Sequence, residues 1–319
     1  MIDPVRPISP DDIEQARSRI AGTVLRTPLV KLDLGIGAPE IYLKLENLQP
    51  TNAYKIRGAS NAVARLSDEE RARGVWTISA GNAGQGVAYA ARKFGIPCSV
   101  VAIETAPQTK LDRMRALGAT IVPVSYDDAW KAAETHAFEG LDGTFIHPFD
   151  NHDFIAGHAT MGLEIIEDLP DVKTVIAAIG GGGLITGVGS AIKARSPDIA
   201  VIGAEPETAA PYALSLREGV PRKFPDWQAS FVDGAGGKSV TERMWQRMRP
   251  VTDGTITVTL DQTREAMRLI AEKSRTIAEG AGALSLAAAL TGQAGEGPIV
   301  CIVSGGNIDL KTFAELVAA

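Results

Sequence analysis

Short apolar runs alternate with segments of helical hydrophobic spacing along nearly the whole chain. Each run spans roughly four to seven residues, the usual length of a strand, whereas the helical segments are longer. The runs predict strands over residues 41–45, 75–78, 98–103, 121–124, 174–179, 199–204 and 299–303. The helical segments predict helices over residues 10–20, 58–66, 84–94, 107–117, 127–138, 152–168, 184–194, 209–218, 262–277, 283–290 and 310–317.

This alternation predicts an α/β fold with parallel sheets. The strand segments are continuously apolar, as expected when helices cover both faces of a sheet. No repeat, low-complexity tract or charge block interrupts the pattern. Residues 222–239 form the least regular segment, which we interpret either as a surface excursion or as a loop that packs near a site.

Composition and charge narrow the class of protein. The chain has 319 residues, of which 45% are hydrophobic and 22% charged, and its net charge is −6. That charge argues against a nucleic-acid binder, which normally carries a basic face. No uncharged apolar stretch reaches the roughly 18 residues of a membrane span, and the N-terminus has no signal-peptide pattern. Cys98 and Cys301 lie in apolar runs as small buried residues. We therefore expect a soluble, cytoplasmic protein with reduced thiols.

The first chemical signal is a run of four glycines, Gly180 to Gly183, between a predicted strand and a predicted helix. Glycines allow a sharp turn that brings several N–H groups to one point, and the helix N-terminus adds partial positive charge. The run therefore indicates a phosphate site, and a tight turn without a ligand remains an alternative. A dinucleotide site is a third option, because Glu205 lies about 20 residues further on.

The second signal is Lys55, which follows Tyr54 in a turn between a predicted strand and a predicted helix. Alone, Lys55 is typical of a solvated lysine. A phosphate site together with an activatable amine is what pyridoxal phosphate requires, because the amine forms a Schiff base and the ring serves as an electron sink.

Seven segments, in order, resemble the fold type II pyridoxal-phosphate enzymes of the threonine/serine dehydratase and serine racemase family. They are KLENLQPTNAYKIRGA, SAGNAGQGVAYAA, HPFDN, IGGGGLITG, GAEPE, EGAGA and VSGGNID. The resemblance implies a fold similar to the tryptophan synthase β subunit, with the cofactor between two parallel-sheet domains. It implies a large domain of residues 1–72 and 149–319, a small mobile domain of residues 73–148, and a homodimer.

The resemblance also implies roles for individual residues around the cofactor. Lys55 would hold pyridoxal phosphate and, once substrate displaces it, remove the Cα proton. Tyr54 would pack near the cofactor ring, with Asn82 on its 3-hydroxyl oxygen and Ser304 facing its pyridine nitrogen. Glu279 would lie near the ring, or alternatively cap a helix. The phosphate would be held by Gly180, Gly181, Gly182, Gly183 and Leu184.

The substrate carboxylate would bind backbone N–H groups in residues 79–83. The implied substrate contacts are Thr51, Asn52, Ala53, Ser79, Ala80, Gly81 and Ala83. Ala80 stands where serine racemases carry a second-face serine, which favours a dehydratase over a racemase. Ala83 replaces the usual His, and Asn52-Ala53 replaces a common Gly-Ser. These changes suggest a β-substituent larger than methyl, such as the phenyl ring of phenylserine, or else neutral drift.

Two further positions depart from the family's pattern. The implied cation site at Glu205 and Ala209 has Pro211 where an acidic residue is usual, which disfavours a divalent ion and leaves a monovalent cation as an option. His158 replaces a common Gln, and we expect it to be packed and hydrogen-bonded rather than catalytic.

Together these observations predict a pyridoxal-phosphate lyase that converts a β-hydroxy-α-amino acid to a 2-oxo acid and ammonia. Its partner would be a small amino-acid substrate, without nucleic acid or membrane. An amino-acid racemase of the same family and a non-catalytic cofactor-binding protein are the alternatives.

Overall fold

The computed structural model describes residues 4–106 and 108–318, so the predicted helix start at Pro107 lies outside the described residues. The strands are β1 (Leu29–Lys31), β2 (Ile41–Lys44), β3 (Val75–Ile78), β4 (Cys98–Ile103), β5 (Thr120–Val124), β6 (Thr144–Phe145), β7 (Thr174–Ala178), β8 (Ala200–Pro206), β9 (Gly254–Val258) and β10 (Ile299–Ile302). The helices are α1 (Pro10–Ile20), α2 (Lys55–Ala64), α3 (Asp68–Arg73), α4 (Asn82–Phe94), α5 (Gln108–Ala116), α6 (Tyr126–Thr135), α7 (His152–Asp168), α8 (Gly183–Arg195), α9 (Pro211–Glu218), α10 (Glu242–Met248), α11 (Leu260–Ser274), α12 (Gly280–Leu290) and α13 (Leu310–Ala318).

These strands form two sheets. The larger sheet has the order β1-β2-β10-β7-β8-β9, and its neighbours are parallel except that β1 runs antiparallel to β2. The smaller sheet has the order β5-β4-β3-β6 and is parallel throughout. Strand β7 is buried along its whole length, as expected where helices cover both faces. The predicted α/β fold with parallel sheets is therefore confirmed.

Five short elements escape the hydrophobic pattern: β1, β6, β9, α3 and α10. Helix α3 contains only charged residues and alanine, so it has no apolar stripe, and its capping box at Ser67 is the signal that marks it. Strand β6 has two residues, too few for any periodicity. Helix α2 begins at Lys55, earlier than predicted, so the lysine is the first residue of a helix.

A buried ionic cluster fixes the first turn of α2. Arg57 pairs through Nε with Glu46 at 2.8 Å and through Nη1 with Glu164 of α7 at 2.7 Å. Lys44 of β2 also reaches Glu164, at 2.7 Å between Nζ and Oε2. Two cationic side chains thus face two carboxylates, and this pairing compensates for the hydration that the buried charges lose. The cluster ties the start of α2 to the larger sheet and to α7.

Both cysteines are buried, as predicted, Cys98 in β4 and Cys301 in β10. Within residues 4–106 and 108–318, no helix has both the length and the apolar character needed to cross a membrane.

Candidate active site

A cavity of about 500 Å³ lies where the carboxyl ends of strands from both sheets meet. Residues 79–83 follow β3 of the smaller sheet, while Gly180 and Ser304 follow β7 and β10 of the larger sheet, and all of these segments line the cavity. The carboxyl ends of parallel strands are the usual place for a ligand in an α/β fold. The topology therefore brings segments that are far apart in sequence to one site.

Lys55 reaches this cavity from the first turn of α2. The backbone before it runs beside the segment after β10, with Tyr54 N–H donating to the Ser304 carbonyl at 3.0 Å. The Lys55 amine donates to the Pro148 carbonyl at 2.6 Å. Burial lowers the pKa of Lys55 to about 7, because an ammonium group loses hydration there. A large share of the amine is thus unprotonated near neutral pH, as a general base requires.

The four glycines form the turn into α8. Gly182 is its N-cap and has a φ of 86°, a conformation that side chains rarely adopt. A Cβ on Gly181 would overlap the Phe149 ring, and one on Gly180 would lie 2.8 Å from the Gly234 carbonyl oxygen. A second cavity, of about 30 Å³, lies against this turn and is also lined by Lys55, Leu184 and Ser304. The first N–H groups of a helix have no intrahelical acceptor, so the turn fits a phosphate.

Asn82 and Glu279 meet across the first cavity. The Asn82 amide donates to Glu279 at 2.6 Å and accepts from Asn307 at 2.8 Å, between side chains. Burial raises the pKa of Glu279 to about 7, helped by the nearby Asp233 carboxylate. Glu279 occupies the N-cap position of α12, but its side chain makes no capping hydrogen bond. The Glu279 carboxylate therefore faces the cavity and does not cap the helix.

The structure brings all of the predicted cofactor residues, but only some of the predicted substrate residues, to the walls of the two cavities. The predicted cofactor residues all line one of the two cavities: Tyr54, Lys55, Asn82, Gly180, Gly181, Gly182, Gly183, Leu184, Glu279 and Ser304. So do the predicted substrate contacts Ser79, Ala80, Gly81 and Ala83. Their assigned contacts with cofactor and substrate stay predictions.

The structure does not bring Thr51, Asn52 and Ala53 to the cavity wall. Asn52 is exposed and has a φ of 53°, in the left-handed region where Gly and Asn are favoured. Ala53 is fully buried and forms a β-bridge with Gly305. The Asn52-Ala53 departure therefore changes the backbone turn before Lys55 rather than the lining of the cavity.

At the predicted cation site, the Glu205 carboxylate accepts hydrogen bonds from the protein backbone. The Glu205 carboxylate accepts from the N–H groups of Tyr212 and Ala213, both at 2.8 Å, at the start of α9. Burial raises its pKa to about 7. Ala209 is buried nearby in sequence, and the described residues contain no group of three or more His, Cys, Asp or Glu suited to a metal. The monovalent cation stays a prediction.

His158 is packed as expected, but it is not hydrogen-bonded as expected. Its ring lies 4.6 Å from that of Tyr54 and 4.9 Å from that of Phe154, between centroids. Neither ring nitrogen has a partner among the described residues. Burial lowers its pKa well below the ordinary value, so His158 is a neutral packing residue.

Sequence reasoning assigned no site role to several residues that line the cavity: Lys110, Pro148, Phe149, Asp233 and Asn307. Pro148 and Phe149 belong to the HPFDN segment, which was a motif without a role. Asp233 lies in residues 222–239, so that segment packs near the site, the second of the two interpretations. Lys110 of α5 pairs with Asp233 at 2.5 Å, and no sequence signal separates it from other helix-surface lysines.

Residues 20–305 match the model of the family described as "Pyridoxal-phosphate dependent enzyme". The chain belongs to this family, and its cofactor is pyridoxal 5'-phosphate. The Lys55 amine, the glycine turn at a helix N-terminus and the cavity between them fit that cofactor.

Named relatives agree with this family. The chain is 40% identical to an L-threonine ammonia-lyase of Thermotoga maritima over 97% of this chain and 78% of the relative. It is 37% identical to a catabolic L-threonine dehydratase of Staphylococcus aureus, over 97% and 92% of the two chains. Among solved structures, maize serine racemase is similar, with a TM-score of 0.89, 34% identity and coverage of 98% and 97%.

Proposed function

We propose that this protein is a pyridoxal-phosphate lyase that converts a β-hydroxy-α-amino acid of the threonine and serine class to a 2-oxo acid and ammonia. The observation that carries the proposal is the Lys55 amine, whose pKa burial lowers to about 7, standing at a glycine-lined phosphate cradle. The relatives named for threonine ammonia-lyase and threonine dehydratase activity support the same reaction.

In the proposed reaction, Lys55 and the start of α4 would each act on a different part of the substrate. Pyridoxal phosphate, when bound, withdraws electrons and so acidifies the Cα–H bond of the amino acid. Lys55 would take the Cα proton, since burial lowers the pKa of its amine to about 7 and a large share of it is unprotonated near neutral pH. The N–H groups at the start of α4 would hold the substrate carboxylate. The β-hydroxyl then leaves as water, and hydrolysis of the product yields the 2-oxo acid and ammonia.

Ala80 separates the lyase from the racemase alternative. Racemisation needs a proton donor on the face of Cα opposite Lys55, and the alanine methyl group at the cavity wall can give none. An L-serine assay tests the distinction: 2-oxo acid detection measures the lyase, and chiral chromatography of the recovered serine measures the racemase. We expect 2-oxo acid in clear excess over D-serine, and D-serine as the main product would contradict the proposal.

The finer assignments belong to the same proposal. Residues 73–148 contain the whole smaller sheet, and we propose that they move as a small domain over the substrate, with residues 1–72 and 149–319 as the large domain. A β-substituent larger than methyl is supported by the apolar wall that Ile78, Ala80 and Ile103 give the cavity. Action as a homodimer in the cytoplasm rests on the family resemblance alone.

A further inference from the structure

The connection between β6 and α7, residues 146–151, contains the HPFDN segment, to which sequence reasoning gave no role. It joins the last strand of the smaller sheet to a helix of the larger one. Pro148 and Phe149 line the main cavity. The connection therefore forms part of the wall of the candidate active site.

Two contacts couple this connection to the cofactor machinery. The Lys55 amine donates to the Pro148 carbonyl at 2.6 Å. The next residue, Phe149, fills the space beside the glycine turn: its ring would overlap a Cβ on Gly181, and its carbonyl oxygen would lie 2.9 Å from one on Gly183. Two consecutive residues thus contact the lysine and the phosphate cradle.

His147 shapes the backbone of these two residues. Its Nδ1 accepts hydrogen bonds from the N–H groups of Phe149, at 3.2 Å, and of Asp150, at 2.9 Å. An acceptor that takes the second and third N–H groups after it reproduces the turn that Asn and Asp side chains make. Burial lowers the pKa of His147 to about 3, so Nδ1 keeps its lone pair for both bonds across the neutral range.

Ion pairs and a helix cap hold the C-terminal end of the connection, at Asp150 and Asn151. The Asp150 carboxylate pairs with Arg243 at 2.5 Å and with Arg247 at 2.9 Å. The Asn151 side chain accepts from the Phe154 N–H at 2.8 Å and caps α7. The Pro148 carbonyl is therefore held between a histidine turn on one side and an ion-paired helix cap on the other.

We propose that His147 is a positioning residue: its Nδ1 turn holds the Pro148 carbonyl where it receives the Lys55 amine whenever that amine is free of the cofactor. A carbonyl accepts a hydrogen bond from an amine and from an ammonium group, so it can hold the nitrogen in place in either protonation state. The titratable groups nearest the amine are Tyr54 on its own segment, His158 of α7 and His147 itself. Burial keeps all three neutral, because it raises the pKa of Tyr54 and lowers those of both histidines.

Two substitutions separate the acceptor from the ring. His147→Asn keeps an acceptor that can take the same two N–H groups but loses the ring. His147→Phe keeps a ring between Phe145 and Phe149, which now lie 5.6 and 4.5 Å from the histidine ring, and loses the acceptor. Each variant is the control for the other.

Two measurements are made on each variant as the full chain. The first frees the protein of cofactor and follows the rate at which added pyridoxal phosphate gives its visible absorbance band, as a function of pH. The second measures kcat and KM of the holoenzyme for L-threonine, and it rests on the proposed function. The first does not involve a substrate, so a failure of the proposed function leaves it as a test of this inference.

For His147→Phe we expect kcat to fall about 10- to 100-fold with little change in KM, because displacing a reacting group by about 1 Å has an effect of that size. The pH at which the rate of cofactor binding is half-maximal should rise. A displaced amine regains hydration, which favours its protonated form and raises its pKa. For His147→Asn both quantities should stay close to the wild type. Wild-type behaviour of His147→Phe, or an equal loss in both variants, would overturn the proposal.

Discussion

The Asn82 side-chain amide donates to the Glu279 carboxylate at 2.6 Å, which joins the first residue of α4 to the residue before α12. Helix α4 follows β3 of the smaller sheet, and α12 packs on the larger sheet. The bond therefore bridges the main cavity, which both residues line. It also holds a buried carboxylate whose pKa burial raises to about 7.

Glu279→Gln is expected to stabilise the cofactor-free protein in a pH-dependent way. The folded pKa of about 7 lies above the ordinary 4.5, so between these values the folded state binds more protons and stability falls as pH rises. Removing the charge should add about 3 kcal/mol at pH 8 and about 1 kcal/mol at pH 5. Urea unfolding at both pH values measures it. The exposed Glu139→Gln is the control, and an equal gain at both pH values would contradict the burial argument.

Ala80→Ser is expected to introduce racemisation. We expect a hydroxyl at this position of the cavity wall to supply a proton on the face of Cα opposite Lys55, so D-serine should appear when L-serine is the substrate. Chiral chromatography of recovered serine measures the change. Ala83→Ser, with a hydroxyl three residues further on, is the matched control and should give no D-serine. If both variants form D-serine equally, Ala80 does not determine the reaction.

The size of the β-substituent is tested by comparing L-threo-phenylserine with L-threonine. Ile78, Ile103 and Ala106 give one part of the cavity an apolar wall, and burial of a phenyl ring is worth about 25 cal/mol per Å². We expect kcat/KM for phenylserine to equal or exceed that for threonine. Ala83→His should lower the ratio by about tenfold or more, because the imidazole narrows the pocket. A clear preference for threonine in the wild type would contradict the proposal of a larger substituent.

Much of this site could be predicted because its segments are unusual in themselves. Four glycines between a strand and a helix indicate a phosphate site before any geometry is known. Lys55 alone is typical of a solvated lysine, and it indicates amine chemistry only together with that site and the ordered motifs around it. The alternation of apolar runs was likewise sufficient for the parallel sheets, because strands buried on both faces leave a continuous apolar pattern. Elements without such a pattern, such as α3, which has no apolar stripe, and the two-residue β6, could not be predicted from hydrophobic periodicity.

Contacts made by the backbone were harder to predict. The role of Pro148 depends on its carbonyl, which every residue has, so only the fold reveals that it meets Lys55. Asn52 and Ala53 were expected in the substrate pocket because they stand where the family resemblance implies a common Gly-Ser beside that pocket. The left-handed turn at Asn52 and the bridge from Ala53 to Gly305 instead direct that segment along the backbone after β10.

We propose that Lys55 both holds the cofactor and removes the Cα proton in a lyase reaction. The most direct measurement adds L-threonine to the holoenzyme and to Lys55→Ala loaded with pyridoxal phosphate, and follows 2-oxo acid, ammonia and the cofactor's absorbance together. We expect equal amounts of 2-oxo acid and ammonia from the wild type. For Lys55→Ala we expect a loss of turnover by at least about 100-fold and an altered cofactor band. Turnover by Lys55→Ala near the wild-type rate, or no 2-oxo acid from the wild type with any β-hydroxy amino acid, would contradict it.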